Sequence, residues 1–135
     1  MKVRRKSGNR GFTLIEMVVV ISLILVLLSI ALPMYSQAIL RTKEAKLRHN
    51  LAKLNEVIQM YSLDKKKAPQ SLDDLVQAGY FRYIPEDITG RSDTWVTEPE
   101  DPQNAMDPNE TGIGSVHSGS NEISSDGTAY SSWPR

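Results

Sequence analysis

The stretch RGFTLIEMVVVISLILVLLSIALP, residues 10–33, decides the fold of this chain. Its central 21 residues, Phe12 to Leu32, contain one ionisable group, Glu16, and neither glycine nor proline. At about 1.5 Å per residue they make a helix roughly 31 Å long, enough to cross the hydrocarbon core of a bilayer. The stretch therefore predicts a membrane helix. Its single carboxylate costs on the order of a few kcal/mol at that depth unless it is paired or near the headgroups.

A basic segment precedes this helix. It contains five positive side chains and no acid: Lys2, Arg4, Arg5, Lys6 and Arg10. Basic residues beside a first membrane helix tend to stay in the cytoplasm, so the rest of the chain is predicted to cross the membrane. Without residues 1–11, the net charge of zero becomes 11 basic against 16 acidic side chains. The sequence pattern shows no basic face coupled to stacking aromatics, so no nucleic-acid partner is expected.

A short motif joins the basic segment to the helix: Gly11-Phe12-Thr13-Leu14-Ile15-Glu16. This arrangement resembles the amino-terminal signature of type IV pilins and type II secretion pseudopilins. The resemblance implies that a membrane peptidase cuts between Gly11 and Phe12 and methylates the new amino terminus at Phe12. It also implies that Glu16 neutralises the amine of a neighbouring subunit in a filament. Opposite charges in a low-dielectric setting offset each other's desolvation cost, which agrees with that role.

Three other interpretations of the apolar run explain it less well. A secretory signal peptide has an apolar region of about 7–15 residues and a small-residue cut site, which Ser36-Gln37-Ala38 imitates only weakly. A plain single-pass anchor would leave Glu16 merely interfacial. A soluble core helix conflicts with 21 nearly uninterrupted apolar residues.

The sequence after the membrane run predicts the amphipathic second half of one long helix, at about residues 35–64. Its apolar positions are spaced by three, four or seven residues and share one helical face: Leu40, Leu47, Leu51, Leu54, Ile58 and Tyr61. We expect this stripe to form the core of a small domain. Pro33 lies between the two halves, where it removes a backbone donor, so a kink or local unwinding is expected at Leu32.

Short elements are predicted for the rest of the chain. Ser71 with an acid three residues later predicts a helix at about residues 72–78 that stops at Gly79. Strands are predicted at residues 94–97, 114–118 and 122–124, the last two flanking a tight turn. Residues 98–111 contain three prolines and five acids, which is typical of a loop.

The order of these elements resembles that of the major, G-type pseudopilin. The expected fold is α+β and type IV pilin-like, with a long amino-terminal helix packed on a small antiparallel sheet and a loop-rich carboxyl terminus. The expected domains are a cleaved leader (1–11), a transmembrane and filament-core helix (12–33) and a periplasmic domain (34–135). The sequence has no cysteine, whereas many type IV pilins close their carboxyl-terminal loop with a disulfide. This difference favours a pseudopilin.

The same resemblance raises the question of calcium, because major pseudopilins usually hold the carboxyl-terminal loop around this ion. Here the loop offers Asp126, Glu122 and Asn121 as candidate ligands. Calcium takes six to eight oxygens, so two or three side-chain donors form a poor set, and ordinary turn chemistry is the alternative. Four further acids are reserve donors: Glu98, Glu100, Asp101 and Asp107. No other cofactor is expected.

The sequence contains no arrangement of residues that predicts catalysis. His49 and His117 are far apart, and a nucleophile elbow, a phosphate-binding glycine loop and zinc-ligand spacings are missing. The chain is therefore predicted not to be an enzyme.

The resemblance instead implies a structural subunit of a type II secretion pseudopilus in the bacterial inner membrane. Its partners would be further copies of itself, the prepilin peptidase, the inner-membrane assembly platform and minor pseudopilins. The filament would drive folded proteins across the outer membrane. The alternatives are a major or minor type IV pilin of a surface fibre (adhesion, motility or DNA uptake), a minor pseudopilin, and a membrane-anchored binding domain.

Overall fold

A long helix, α1 (Leu14–Lys65), dominates the computed structural model, which describes residues 11–105 and 107–134. The predicted basic leader, residues 1–10, lies outside the described residues. The helix contains 52 residues and joins the two predicted halves. It ends where Lys66 takes the left-handed backbone conformation, with φ of 59°.

Pro33 lies inside α1, and the helix continues on both sides of it. The local unwinding expected at Leu32 is therefore not found. A proline ring removes only one hydrogen bond of the helical ladder, and the flanking turns keep theirs. The Ser36 hydroxyl also donates a hydrogen bond to the Pro33 carbonyl at 2.9 Å. A kink at this position stays a prediction.

The chain divides into two compact units, one ending at Ala38 and the other beginning at Ile39. In the described part of the first unit, the large apolar side chains of α1 are all exposed, from Leu14 at 86% to Val20 at 43%. This part of α1 is long and apolar enough to cross a membrane, and none of it is buried.

The second unit adds four elements to the rest of α1: α2 (Leu72–Gln77), β1 (Trp95–Pro99), β2 (Ile113–Ser118) and a 3-10 turn, η1 (Tyr130–Ser132). In the described residues the sheet consists of β1 and β2, which pair antiparallel with Trp95 opposite Ser118. The predicted α+β fold is confirmed, with a long helix packed on a small antiparallel sheet and a loop-rich carboxyl-terminal part.

The short helix forms where the sequence predicts it. The Asp74 carboxylate accepts hydrogen bonds from the backbone N–H groups of Ser71 (3.0 Å) and Gln70 (2.8 Å) before the helix begins. These bonds, the one from Ser71 first, lower the pKa of Asp74 below its usual value. The helix ends just before Gly79, whose φ of 84° suits glycine.

Of the two strands predicted to flank a tight turn, the one at residues 114–118 forms as β2, and the one at residues 122–124 does not form. β2 pairs with β1 across the acidic loop, and Ile123 makes only an isolated bridge with Ala129. The reason is burial, since Trp95 on β1 is 8% exposed and lies in the core, whereas Ile123 is 64% exposed. A close approach fixes the pair at one end, where a Cβ on Gly119 would lie 2.3 Å from the carbonyl oxygen of Thr94.

The core forms around the inner face of α1, as the apolar stripe predicts. The cluster of buried apolar residues is Leu47, Leu51, Leu54, Val57, Ile58, Tyr61, Leu75, Trp95, Ile113, Val116, Tyr130 and Trp133. Leu40, a member of the predicted stripe, does not belong to this cluster. Leu40 is 38% exposed, because the buried part of the helix begins one turn later, at Glu44.

A buried amide joins α1 to the sheet. Asn55 is 8% exposed, and its side chain meets the backbone of Val116 in the middle of β2. Its Oδ1 accepts a hydrogen bond from the Val116 N–H (2.9 Å), and its Nδ2 donates to the Val116 carbonyl (3.2 Å). The Asn55 amide thus makes the two backbone hydrogen bonds that a further neighbouring strand would make to Val116.

We predict that Asn55→Ala in residues 35–135, which contain the whole second unit, lowers the free energy of unfolding by about 2 kcal/mol, because two backbone groups of Val116 lose their partner. The matched control is Asn50→Ala, which removes one exposed hydrogen bond to the Glu86 carbonyl and should cost less than about 0.5 kcal/mol. Chemical denaturation measures both values, and equal costs would contradict the bridging role.

Candidate functional site

The predicted processing site lies in extended chain just before α1. Gly11 and Phe12 are outside the helix, and Phe12 is 76% exposed. A Cβ built on Gly11 meets nothing within 4 Å. No described residue therefore covers the peptide bond between Gly11 and Phe12, which suits a site that a peptidase must reach.

Thr13 caps the start of α1. Its Oγ1 accepts a hydrogen bond from the Glu16 N–H at 3.2 Å, and its carbonyl accepts one from the Met17 N–H at 3.2 Å. Threonine at the cap with glutamate three residues later has the capping-box spacing, so the sequence itself marks the start of this helix. Glu16 therefore lies in the first turn, at the positive end of the helix dipole.

This position would let Glu16 balance a new positive charge if the chain were cut after Gly11. An amine at Phe12 would add a positive charge beside the unpaired N–H groups of the first helical turn. The Glu16 carboxylate, in the same turn, would offset both the amine charge and the partial positive charge of these N–H groups. The geometry can therefore hold an amine–carboxylate pair, either within one chain or between neighbouring copies.

A second polar site holds the carboxyl-terminal loop, and its centre is Glu44. This residue is only 5% exposed, although it is an acid. Its carboxylate accepts hydrogen bonds from the Ser125 N–H (2.7 Å), the Ser125 hydroxyl (2.5 Å) and the Tyr130 hydroxyl (3.0 Å). Three donors from the loop thus converge on one carboxylate of α1.

Hydrogen bonds and burial together shift the pKa values of Glu44 and Tyr130. The bonds from the Ser125 hydroxyl and N–H lower the pKa of Glu44 below its usual value of 4.5, against the opposing effect of burial. Burial, followed by the bond to Glu44, raises the pKa of Tyr130 to about 12. At neutral pH Glu44 is therefore charged, and Tyr130 keeps the proton that it donates.

Arg48, one turn after Glu44, makes the outer contact to the same loop. Its guanidinium lies 2.7 Å from Asp126 Oδ2 and 4.4 Å from the centre of the Trp133 ring. The Arg48 and Asp126 side chains are each 60% exposed, so this pair adds little stability. Sequence analysis missed both α1 residues. The signal for Glu44 was an acid between Leu40 and Leu47, on the apolar stripe itself.

Two of the three candidate calcium ligands are engaged by protein groups. Asp126 pairs with Arg48, and Asn121 Oδ1 accepts a hydrogen bond from the Ser131 hydroxyl at 2.9 Å. Glu122 is exposed. Within residues 11–105 and 107–134, no group of three or more His, Cys, Asp or Glu side chains could hold a metal ion. The donor set does not fit calcium, which needs six to eight oxygens.

The reserve donors and the histidines also stay apart from this loop. Glu98 lies on β1, where its Oε1 is 3.3 Å from His117 Nδ1. Asp101 accepts a hydrogen bond from the Gln103 N–H in the loop after β1. His49 lies on an exposed face of α1.

One comparison with known proteins covers the residues of the first site. Residues 6–32 match the model of the prokaryotic N-terminal methylation motif. No curated protein and no solved structure matches the chain. The motif supports a type IV pilin-like protein that a prepilin peptidase processes and that assembles into a filament. Proteins of this family are structural rather than enzymatic, and pilins and pseudopilins share the motif. Together with the apolar part of α1, the motif fits an anchor in the inner membrane.

We predict that Glu44→Gln in residues 35–135 lowers the free energy of unfolding by about 2 kcal/mol at pH 7, because hydrogen bonds to a charged group are lost. The matched control is Glu56→Gln, an exposed acid of α1 that pairs with Lys53, with an expected cost below about 0.5 kcal/mol.

A comparison of wild type with Glu44→Gln at several pH values tests the pKa of Glu44. A lowered pKa in the folded state stabilises the fold above the unfolded value, near 4.5, and this contribution disappears as pH falls through the folded value. The stability difference between wild type and Glu44→Gln should therefore shrink below about pH 4.5. A constant difference from pH 7 to pH 3 would contradict the proposed charge state.

We also predict that calcium leaves this loop unchanged. Adding calcium at about millimolar concentration to residues 35–135 should not shift the melting temperature, because an ion that binds only the folded state would raise it. A rise that chelation reverses, and that Asp126→Asn abolishes, would show that the loop rearranges into a calcium site.

Proposed function

We propose that this chain is a structural subunit of a type II secretion pseudopilus, cleaved after Gly11 and methylated at Phe12. The observation that carries the proposal is the placement of Phe12 and Glu16 at the start of an apolar helix segment with exposed side chains. A bilayer covers such a surface before assembly, and other copies of the helix cover it afterwards.

The exchange of lipid for protein sets the energetics of assembly. Apolar side chains gain little by leaving lipid for a neighbouring helix, so packing and polar pairing must provide the net attraction. Pairing of Glu16 with the amine of a neighbouring Phe12 offsets the burial of both charges. ATP hydrolysis elsewhere in the machine supplies the work of extraction.

The rest of the chain would lie in the periplasm, because the basic leader stays in the cytoplasm. The filament would grow from the inner-membrane assembly platform with minor pseudopilins and push folded proteins through an outer-membrane channel. The absence of cysteine and the small second unit support secretion over a surface fibre. A type IV pilin, which shares the amino-terminal motif, is the second candidate.

Pro33 has a proposed part in this transfer. It leaves one carbonyl of α1 without its usual helical donor, which weakens the helix there. Stretching or unwinding near Pro33 as a subunit leaves the membrane is our hypothesis, and the continuous helix described above would be the form before that event.

We predict that the chain, expressed with prepilin peptidase and the secretion machine, begins at methylated Phe12 by mass spectrometry. Glu16→Leu and Glu16→Gln should leave membrane insertion and cleavage intact and abolish filaments and secretion, because the amine loses its partner. Ser22→Ala, which removes a polar group from the same apolar segment, is the control and should assemble normally.

The outcomes separate the candidates. An amino terminus at Met1 with active peptidase would overturn the filament function. Normal secretion with both Glu16 variants would overturn the pairing. Fibres on the cell surface, with secretion unchanged when the gene is deleted, would favour the type IV pilin.

A further inference from the structure

An open groove lies between α1 and the segment that follows α2. It has a volume of about 590 Å³. Its lining residues are mainly cationic and aromatic, and include Lys46, His49, Lys53, Phe81, Arg82 and Tyr83. We call this surface the basic groove.

The charges of the basic groove are exposed and only partly neutralised. Lys46 lies 2.9 Å from Glu86, and Lys53 lies 3.0 Å from Glu56, but the side chains of both pairs are about half exposed. Arg82 makes no ion pair with any described residue. Exposed pairs of this kind are weak, so their lysines can rearrange towards a new carboxylate at little cost.

Tyr83 gives the basic groove an apolar contact. It is 72% exposed, unlike Tyr61 and Tyr130, which are buried in the core. An exposed tyrosine among cations offers a flat surface and a hydroxyl at a small cost in conformational entropy, which is why tyrosine and arginine are common at the centres of protein interfaces.

A complementary surface lies after β1. Its acids are Glu100, Asp101, Asp107 and Glu110, which we call the acidic edge, and the sequence from residue 98 to 111 contains no lysine or arginine. None of the four forms an ion pair with a residue in the described part of the chain. Glu100 and Asp101 line a hollow beside Gln59 and Leu63 of α1.

The two surfaces cannot meet within one chain. At 3.6 residues per turn, Lys46 and Lys53 follow one border of the buried face of α1, whereas Gln59 and Ser62 follow the other border. The surfaces also differ in height along α1, since their centres are about 11 residues, or roughly 16 Å, apart. Opposite charges placed this way can pair only between copies.

We propose that the acidic edge of one subunit docks in the basic groove of the next. This contact rests on the proposed filament function and adds to it a partner for the second unit. Because the two halves of the contact are different surfaces, each copy keeps one of each free for a further neighbour, and such a head-to-tail contact propagates instead of closing into a dimer. Charge complementarity also steers the approach and fixes the register.

The absence of cysteine in the sequence makes the contact directly testable. The full-length chain carrying Arg82→Cys and Asp101→Cys should be expressed with the peptidase and assembly platform and then oxidised. We predict a ladder of disulfide-linked multimers on a denaturing gel. Each single-cysteine chain should stop at a dimer or below, and chains without a platform should give no ladder.

Charge reversal gives a second measurement. Arg82→Glu and Asp101→Lys should each lower filament yield by roughly tenfold, the equivalent of about 1.4 kcal/mol, and the double variant should recover most of it. Lys65→Glu, the same charge change at the exposed end of α1, is the control and should assemble normally. Reduced yield in both single variants without recovery in the double variant would overturn the pairing.

These results separate the contact from the function on which it rests. A wild-type chain that polymerises while the double-cysteine chain gives no ladder overturns the contact and leaves the filament function standing. A wild-type chain that is neither cut nor polymerised overturns both.

Discussion

The inner face of α1 is the constraint on which the second unit depends. A two-stranded sheet is marginal by itself, because it has too little apolar surface to bury. Here β1 and β2 instead place Trp95 and Val116 against a helix that already presents a row of leucines. Every other element, from α2 to the turn at Tyr130, contributes its buried side chains to the same face. The helix is therefore the scaffold, and the remaining elements cover it.

Two polar side chains on that face of α1 hold the sheet and the carboxyl-terminal loop in place. Asn55 supplies the hydrogen bonds that an additional strand would have made to Val116, and Glu44 collects three donors from the closing loop. Both are costly to bury alone and favourable once satisfied, so an arrangement that leaves either without its partners is disfavoured. The Glu44 carboxylate thus anchors the carboxyl-terminal loop by hydrogen bonds, a task that an ion or a disulfide could also perform.

Local patterns in the sequence predicted the parts that depend on neighbours in the chain. The motif around Glu16, the leucine spacing of α1 and the start of α2 at Ser71 and Asp74 all involve residues within a few positions of each other. The pairing of β1 with β2 was missed because the competing strand at Ile123 looks equally good in isolation. Glu44 was missed because its donors are 81 and 86 residues away, and no spacing rule connects such distant positions.

That long separation also has a consequence for the order of events during synthesis. Glu44 leaves the ribosome 81 residues before Ser125 and 86 residues before Tyr130, the two residues that shield its carboxylate. Until then Glu44 stays hydrated and the leucines around it lack part of their cover, so the growing domain exposes part of an apolar helix face. Closure of such a distant contact is slow compared with formation of the helix. The chain therefore passes through an interval in which this apolar helix face is exposed to unwanted contacts with other chains.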